Sequence, residues 1–302
     1  MNILESFRVA FSAILTNKGR SFLTMLGVLV GVAAVILLVS VGEGARGDIG
    51  DQMRGLGSNL VILIPGHEET HGGPRSQTKK EKKKRGRRKR ESVTLLTLDD
   101  MRALKNHCPS VAEAACGMEQ GVEAKVGSLY RRVHCVAVSG AYGSVRNLSV
   151  RKGSFITEAH AARGQRVVVI GKTVQDELFR TKDPMGKYIQ VNGARFTVVG
   201  LLEEKGALLG DDQDNRILIP VTTATSIFGR RNPDYIMMNA TRRDTVDRAV
   251  LEVKRIMKSR HRGQEDFQVL DQADILKMVN SIIGIMTAVV GGIGGIDRKS
   301  VV

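Results

Sequence analysis

The chain has 302 residues, 46 Lys and Arg against 31 Asp and Glu for a net charge of +15, and 42% hydrophobic side chains. That length and apolar content exclude a disordered chain and leave room for a membrane anchor with one or two modest domains. Three cysteines and no Trp exclude a disulfide-built scaffold, and the basic balance is local, because residues 79–91 (KKEKKKRGRRKRE) carry +8 and leave +7 for everything else.

The chain opens on an amphipathic helix over residues 1–19, in which Ile3, Leu4, Phe7, Phe11, Ile14 and Leu15 recur at helical spacing. Such a helix lies along a membrane surface. Residues 21–42 (SFLTMLGVLVGVAAVILLVSVG) then carry no charge between Arg20 and Glu43. As a helix they span roughly 33 Å, enough for a hydrocarbon core of about 30 Å, so 20–42 is read as a transmembrane helix. Gly27 and Gly31 form a G-x-x-x-G pair that lets another helix approach its backbone closely. Lys18 and Arg20 place the N-terminus in the cytoplasm and residues 43–277 outside it. The helix is expected to continue as a stalk over 43–57, weakened by five glycines.

From residue 58 the period changes. SNLVILIP reads as a strand closed by Pro65-Gly66, followed over 67–92 by a long charged loop with almost no apolar residues. Thr97-Leu98-Asp99-Asp100 starts a helix to about Asn106 with a capping box. Strands are expected over 111–118, 121–126, 129–138 and 166–170, a helix over 172–180, and a turn at Asp183-Pro184. KYIQV-NG-ARFTVVGLL predicts a hairpin, because Asn192-Gly193 suits a type I′ turn. Further strands are read at 216–219, 235–240 and 267–270, with a helix over 245–259. The pattern is α+β. Residues 278–296 are uncharged again and form a second membrane candidate, with another G-x-x-x-G at Gly291 and Gly295.

Several stretches carry possible chemistry. His67-Glu68-Glu69-Thr70-His71 is a literal H-E-x-x-H, which on a helix binds zinc through its histidines and activates water through its Glu. Helix breakers flank it on both sides, Pro65-Gly66 and Gly72-Gly73-Pro74. Gly171-Lys172-Thr173 follows a strand like half a phosphate-binding loop, but the first glycine of that motif is replaced by Arg166, which points to a plain strand-to-helix turn. The basic run over 79–91 is a solvated loop or a site for polyanions and anionic lipid. Asp211-Asp212-Gln213-Asp214-Asn215 lacks the glycine and terminal Glu of a calcium loop, which leaves an exposed turn. Cys116 and Cys135 lie on neighbouring predicted strands and could pair, leaving Cys108 over.

The VSVGEGA exit from the apolar run, LGSNLVILIPG, VVVIGKTV, DPMGKYIQVNGARFTVVGLLEEKG and RILIPVTTA occur in order. Together they resemble the MacB-like permease family of ABC transporters over residues 1–66 and 93–296. The resemblance implies an α+β extracytoplasmic domain anchored by transmembrane helices. Within it, an α/β subdomain near 46–137 and 217–276 carries a β-rich insertion near 138–216. It implies a non-catalytic permease with no cofactor in this chain; ATP and Mg would sit on a partner ABC ATPase, in a bacterial inner membrane. Further implied partners are a second permease, as homodimer or pair, and a periplasmic adaptor, with no nucleic acid. Such permeases couple ATP hydrolysis to movement outside the membrane, expelling or extracting substrates.

Two departures stand out. The 67–92 insertion has no counterpart in the family, so HEETH and the lysines inherit no role from it. The ending DRKSVV replaces the further spans of the family and equals a translated sequencing adapter, so residues 297–302 are expected to be non-native and the chain an N-terminal fragment. On the residues alone, a membrane-anchored zinc protease using HEETH and a polyanion-binding envelope protein using the basic loop remain open.

Overall fold

The computed structural model describes residues 59–66, 95–208 and 211–296, together with scattered positions between 18 and 44. The chain divides into two compact units, Gln52–Ile275 on one hand and Met1–Asp51 with Leu276–Val302 on the other.

In the larger unit, β1 (Leu60–Pro65) is followed by α1 (Leu98–His107), whose start is fixed by a reciprocal cap between Thr97 and Asp100. Then come β2 (Val111–Val126), β3 (Leu129–Val138), α2 (Tyr142–Val145), β4 (Val150–Gly153), α3 (Glu158–Ala162) and β5 (Val167–Ile170). Next are α4 (Lys172–Val174), β6 (Tyr188–Val191), β7 (Ala194–Leu202), the two-residue strands β8 (Ala207–Leu208) and β9 (Asp211–Asp212), and β10 (Arg216–Pro220). The chain continues through α5 (Ala224–Phe228), β11 (Tyr235–Ala240), α6 (Val246–Arg260) and β12 (Phe267–Asp271), and α7 (Gln272–Ile296) begins in this unit and belongs from Leu276 onward to the smaller one.

Ten strands join one sheet in the order β12-β1-β11-β2-β3-β10-β5-β7-β4, with β6 bridging β2 and β7. That bridge closes a ring: β2, β3, β10, β5, β7 and β6 are hydrogen-bonded in circuit, so half of the sheet curls into a six-stranded barrel. β2 serves both halves. Over Ala240 to Tyr235, β11 pairs with the first half of β2, whereas β6 pairs with Ala124 and Lys125 near its end. Of the six barrel strands, β5, β6 and β7 belong to 138–216, and β2, β3 and β10 are supplied by the flanking chain.

Two cores follow from the side-chain alternation. One fills the barrel with Val122, Val133, Cys135, Ile189, Phe196 and Ile217, and extends under α1 and α6 through Leu104, Val253 and Met257. The other lies on the opposite sheet face beneath α2, with Tyr142, Val145, Val136, Val169 and Leu218.

Differences from the sequence reading have physical causes. The two strands expected at 111–118 and 121–126 are one 16-residue strand, because β3 pairs along it from Gly117 to Val126. The helix expected over 172–180 is α for one turn and then widens to a π turn, Gln175–Phe179, which ends at Arg180 with φ 55°. Asn192 and Gly193 have φ of 46° and 84°, as a type I′ turn requires. Cys116 and Cys135 do not pair: Cys135 faces Gln120 across the β2–β3 ladder, and all three cysteines are buried free thiols.

In the smaller unit, the described positions of the 21–42 run are helical. Their large side chains stand exposed, Leu23 by 72% and Leu37 by 65%. A Cβ at Gly42 would stand 3.3 Å from Ile283, so these two segments touch there, whereas one at Gly31 would meet nothing within 4 Å among the described residues. Among the described residues no helix is long and apolar enough to cross a membrane. The stalk over 43–57, apart from a helical Gly44, and nearly all of 1–19 lie outside the described residues, as does the 297–302 tail.

Candidate functional site

β3 and β10 run parallel and adjacent, yet the chain leaves them toward opposite faces of the sheet. After β3 it enters α2, whose Tyr142 and Val145 pack into the second core; after β10 it turns through Val221 into α5, whose Ala224 and Ile227 belong to the first. Adjacent parallel strands whose connections part in this way open a crevice at their carboxyl ends, the place where α/β sheets hold ligands. Here the crevice has a volume of about 480 Å³ and is walled by α1, α3, the Ser139–Gly140–Ala141 bend and the start of β2.

Its chemistry is set by few side chains. Leu98 and Met101 on α1, Ala161 on α3 and Val221 give an apolar surface. Glu113 of β2 and Glu158 at the first turn of α3 face the same space. Glu113 accepts a hydrogen bond from the Ser144 hydroxyl, and Glu158 accepts one from the Gly140 N–H at 3.2 Å. Neither carboxylate has an ion-pair partner among the described residues. Gly140 makes this wall possible, since a Cβ there would stand 2.5 Å from the Glu158 backbone nitrogen. At the rim, Arg102 is matched by Asp99 at 2.9 Å, and Lys105 stands in the last turn of α1, where a cation suits the helix dipole. Beneath the crevice, burial pushes the Cys116 thiol up to about 12, and the Glu158 charge adds to it. That thiol is no nucleophile.

A second cluster holds β2 where it passes from β11 to the barrel. Residues just beyond Gly117 have no strand partner on that side, so their backbone groups are satisfied by side chains. The Glu119 N–H donates to Asp234 at 2.8 Å, and the Glu119 carbonyl accepts from Arg230 at 3.0 Å. Arg230 and Asp234 are joined by two bonds of 2.5 and 2.7 Å. Burial pushes the Asp234 carboxyl up, but hydrogen bonds from Arg230 and Glu119 outweigh it and hold the group below its ordinary value. Tyr235 donates to the Glu119 carboxylate at 2.7 Å and contacts the Tyr142 hydroxyl at 2.9 Å. This arrangement is structural: every group is consumed by another.

The motifs singled out in the sequence do not converge on the crevice. HEETH and the basic run lie outside the described residues, and among the described residues no group of His, Cys, Asp and Glu is placed to hold a metal ion. Lys172 of the GKT motif is spent on an ion pair with Asp176, as a strand-to-helix turn would have it. In the 211–215 segment Asp214 is buried rather than exposed, 5% accessible, and its carboxylate accepts from the Lys205 and Gly206 backbone N–H groups at 3.0 and 2.7 Å. It staples a turn. Gly291 and Gly295 fall within α7, and Gly27 and Gly31 within the helical part of the apolar run. Sequence reasoning missed Glu113 and Glu158; the one available signal was a lone acid inside the apolar stretch VAEAAC.

Comparison with known proteins agrees with this architecture. Residues 21–256 match the MacB-like periplasmic core domain family. Macrolide export ATP-binding/permease protein MacB of Bdellovibrio bacteriovorus is 34% identical over 310 residues, covering 97% of this chain and 45% of that protein. Its counterpart in Azoarcus sp. is 30% identical over 98% of this chain and 42% of the relative. Pyoverdine export ATP-binding/permease protein PvdT of Pseudomonas aeruginosa is 30% identical over 97% and 43%. The chain thus spans less than half the length of these relatives. In fold it is similar to the periplasmic region of MacB from Actinobacillus actinomycetemcomitans, with TM-score 0.59, 19% identity, and 76% and 95% of the two chains covered. It is also similar to the extracellular domain of the ABC-type transporter YknZ, with TM-score 0.55, 18% identity, and 70% and 100% covered. With the family match running over most of the chain and the fold agreeing, this chain belongs to the MacB-like periplasmic core domain family.

Proposed function

We propose that the chain is the permease portion of a MacB-like ABC transporter, in which ATP hydrolysis by a partner ATPase is coupled to movement of the 43–277 domain outside the cytoplasm. The observation that carries this reading is the family match beginning inside the apolar run and continuing through the sheet domain. The exposed apolar side chains along that run support a lipid-facing helix, since soluble surfaces rarely carry such a contiguous patch. The relatives' names join ATP-binding and permease functions, whereas this sequence has no complete phosphate-binding loop. ATP and Mg are assigned to an ATPase subunit or domain outside this sequence. The N-terminus is cytoplasmic, residues 20–42 cross the inner membrane, residues 278–296 are part of a second, truncated span, and a second permease, as homodimer or pair, and a periplasmic adaptor complete the assembly. The moved substrate is expelled or extracted on the outer side.

Force reaches the outer domain through packed helices. In a transporter containing this chain, Gly31→Leu lowers export while leaving the partner's basal ATPase intact. Among the described residues a side chain at Gly31 meets nothing within 4 Å, and a loss of export would report a helix packed against this glycine face. The same experiment extends to Gly27→Leu, and wild-type export from both variants would overturn this route. Orientation is tested by adding protease to intact spheroplasts. Digestion of the sheet domain is expected; protection of it with cleavage near the N-terminus would overturn the topology.

A further inference from the structure

We infer that the crevice at the carboxyl ends of β3 and β10 is a binding site for an organic cation, an amine carried on a compact apolar body. The inference stands apart from the transport reading, since it rests on the geometry of one wall-to-wall space. About 480 Å³ falls within the range of sites that enclose small molecules, and its position at the parting of two parallel strands is one that sheet topology favours.

Charge selects the ligand class. Glu113 is half-buried at the start of β2, and Glu158 is exposed at the first turn of α3. Each is held in place by one neutral donor, Ser144 and Gly140 respectively, which fixes an oxygen without neutralising it. Two carboxylates that line one space, neither with an ion-pair partner among the described residues, leave negative charge on it. An ammonium supplies the missing partner, and charge-assisted hydrogen bonds are the stronger kind. Leu98, Met101 and Val221 then take the apolar body. Arg102 and Lys105 line the same space as exposed side chains, and because Arg102 pairs with Asp99 at 2.9 Å, the two carboxylates outnumber the one cation unpaired among the described residues there, Lys105.

The test uses the full chain in zwitterionic lipid nanodiscs, with empty discs as the blank, and reads fluorine NMR line broadening. Three ligands share one ring: para-fluorophenethylamine, the neutral para-fluorophenylethanol and the anionic para-fluorophenylpropanoate. The amine is expected to bind about tenfold more tightly than the alcohol, and the propanoate more weakly still. Glu113→Gln and Glu158→Gln should each weaken the amine about tenfold and leave the alcohol unchanged. Ala162→Trp, which fills the crevice from an exposed position on its wall, should abolish binding of both. Thermal unfolding by circular dichroism checks each variant's fold. Equal binding of amine and alcohol, preference for the propanoate, absence of amine binding, or amine binding unchanged in folded Glu→Gln variants would each overturn the site. None of these outcomes touches the transport reading, which needs no ligand in this crevice.

Discussion

Replacing Asp100 by alanine tests how the helix that walls the crevice is seated. Its carboxylate is 3% accessible and accepts from the Thr97 N–H at 2.9 Å, the Thr97 hydroxyl at 2.7 Å and Arg260 Nε at 2.5 Å. Losing the reciprocal cap costs about 1 kcal/mol. The charge-assisted bond to Arg260 contributes about 1.5 kcal/mol, the low end for such bonds, because the Arg260 side chain is 37% exposed and screened by water. Together these give about 2.5 kcal/mol, or a fall in Tm of about 5–10 °C for a unit of this size. Circular dichroism on the full chain measures it, with Thr97→Ala and Arg260→Ala as separate arms. Thr97→Ala removes the cap alone and should cost about 1 kcal/mol. Asp100→Ala and Arg260→Ala should be non-additive by about 1 kcal/mol in a double-mutant cycle. Strict additivity, or an Asp100→Ala loss no larger than that of Thr97→Ala, would refute the role given to Arg260. The pH dependence follows from the same contacts. Burial pushes the Asp100 carboxyl up, but the bonds from Thr97 and Arg260 outweigh it and hold the group below its ordinary 3.8. Folding therefore weakens proton binding, and the contribution is fully present above 3.8 and lost as pH falls through the lower folded value. Asp100→Ala should flatten that acid limb.

Three further outcomes are expected. Gly117→Ala would drive a methyl to within 2.4 Å of the Tyr235 ring and should cost about 1–3 kcal/mol by overpacking; an unchanged urea midpoint would show that the ring moves freely. Burial raises the Cys108 and Cys116 thiols to about 11 and about 12, so at pH 8 iodoacetamide should alkylate them only after unfolding, and mass spectrometry finding prompt labelling of folded protein would contradict this. Gly193→Ala places a side chain at φ 84° and should destabilise the β6–β7 hairpin by about 1 kcal/mol, read as a lower Tm.

Local chemistry was legible in the sequence. The Thr97 cap, the Asn192-Gly193 turn and the ranges of β3 and β11 followed from hydrogen-bonding side chains, positive φ and two-residue alternation, which depend on neighbours in the chain. The family was legible for the same reason, because its motifs are contiguous stretches. Tertiary structure alone decided the rest. Nothing near β6 in sequence says that it bonds to Ala124 and Lys125, yet that pairing closes the barrel. Nothing near Asp100 announces Arg260, 160 residues away. Strand register separated Cys116 from Cys135, long-range packing buried Asp214 in a turn, and the connections after β3 and β10 brought Glu113 and Glu158 to one crevice. The physical reason is that local patterns tell which face a side chain takes, but its distant partner is chosen by the summed burial and packing of the whole fold.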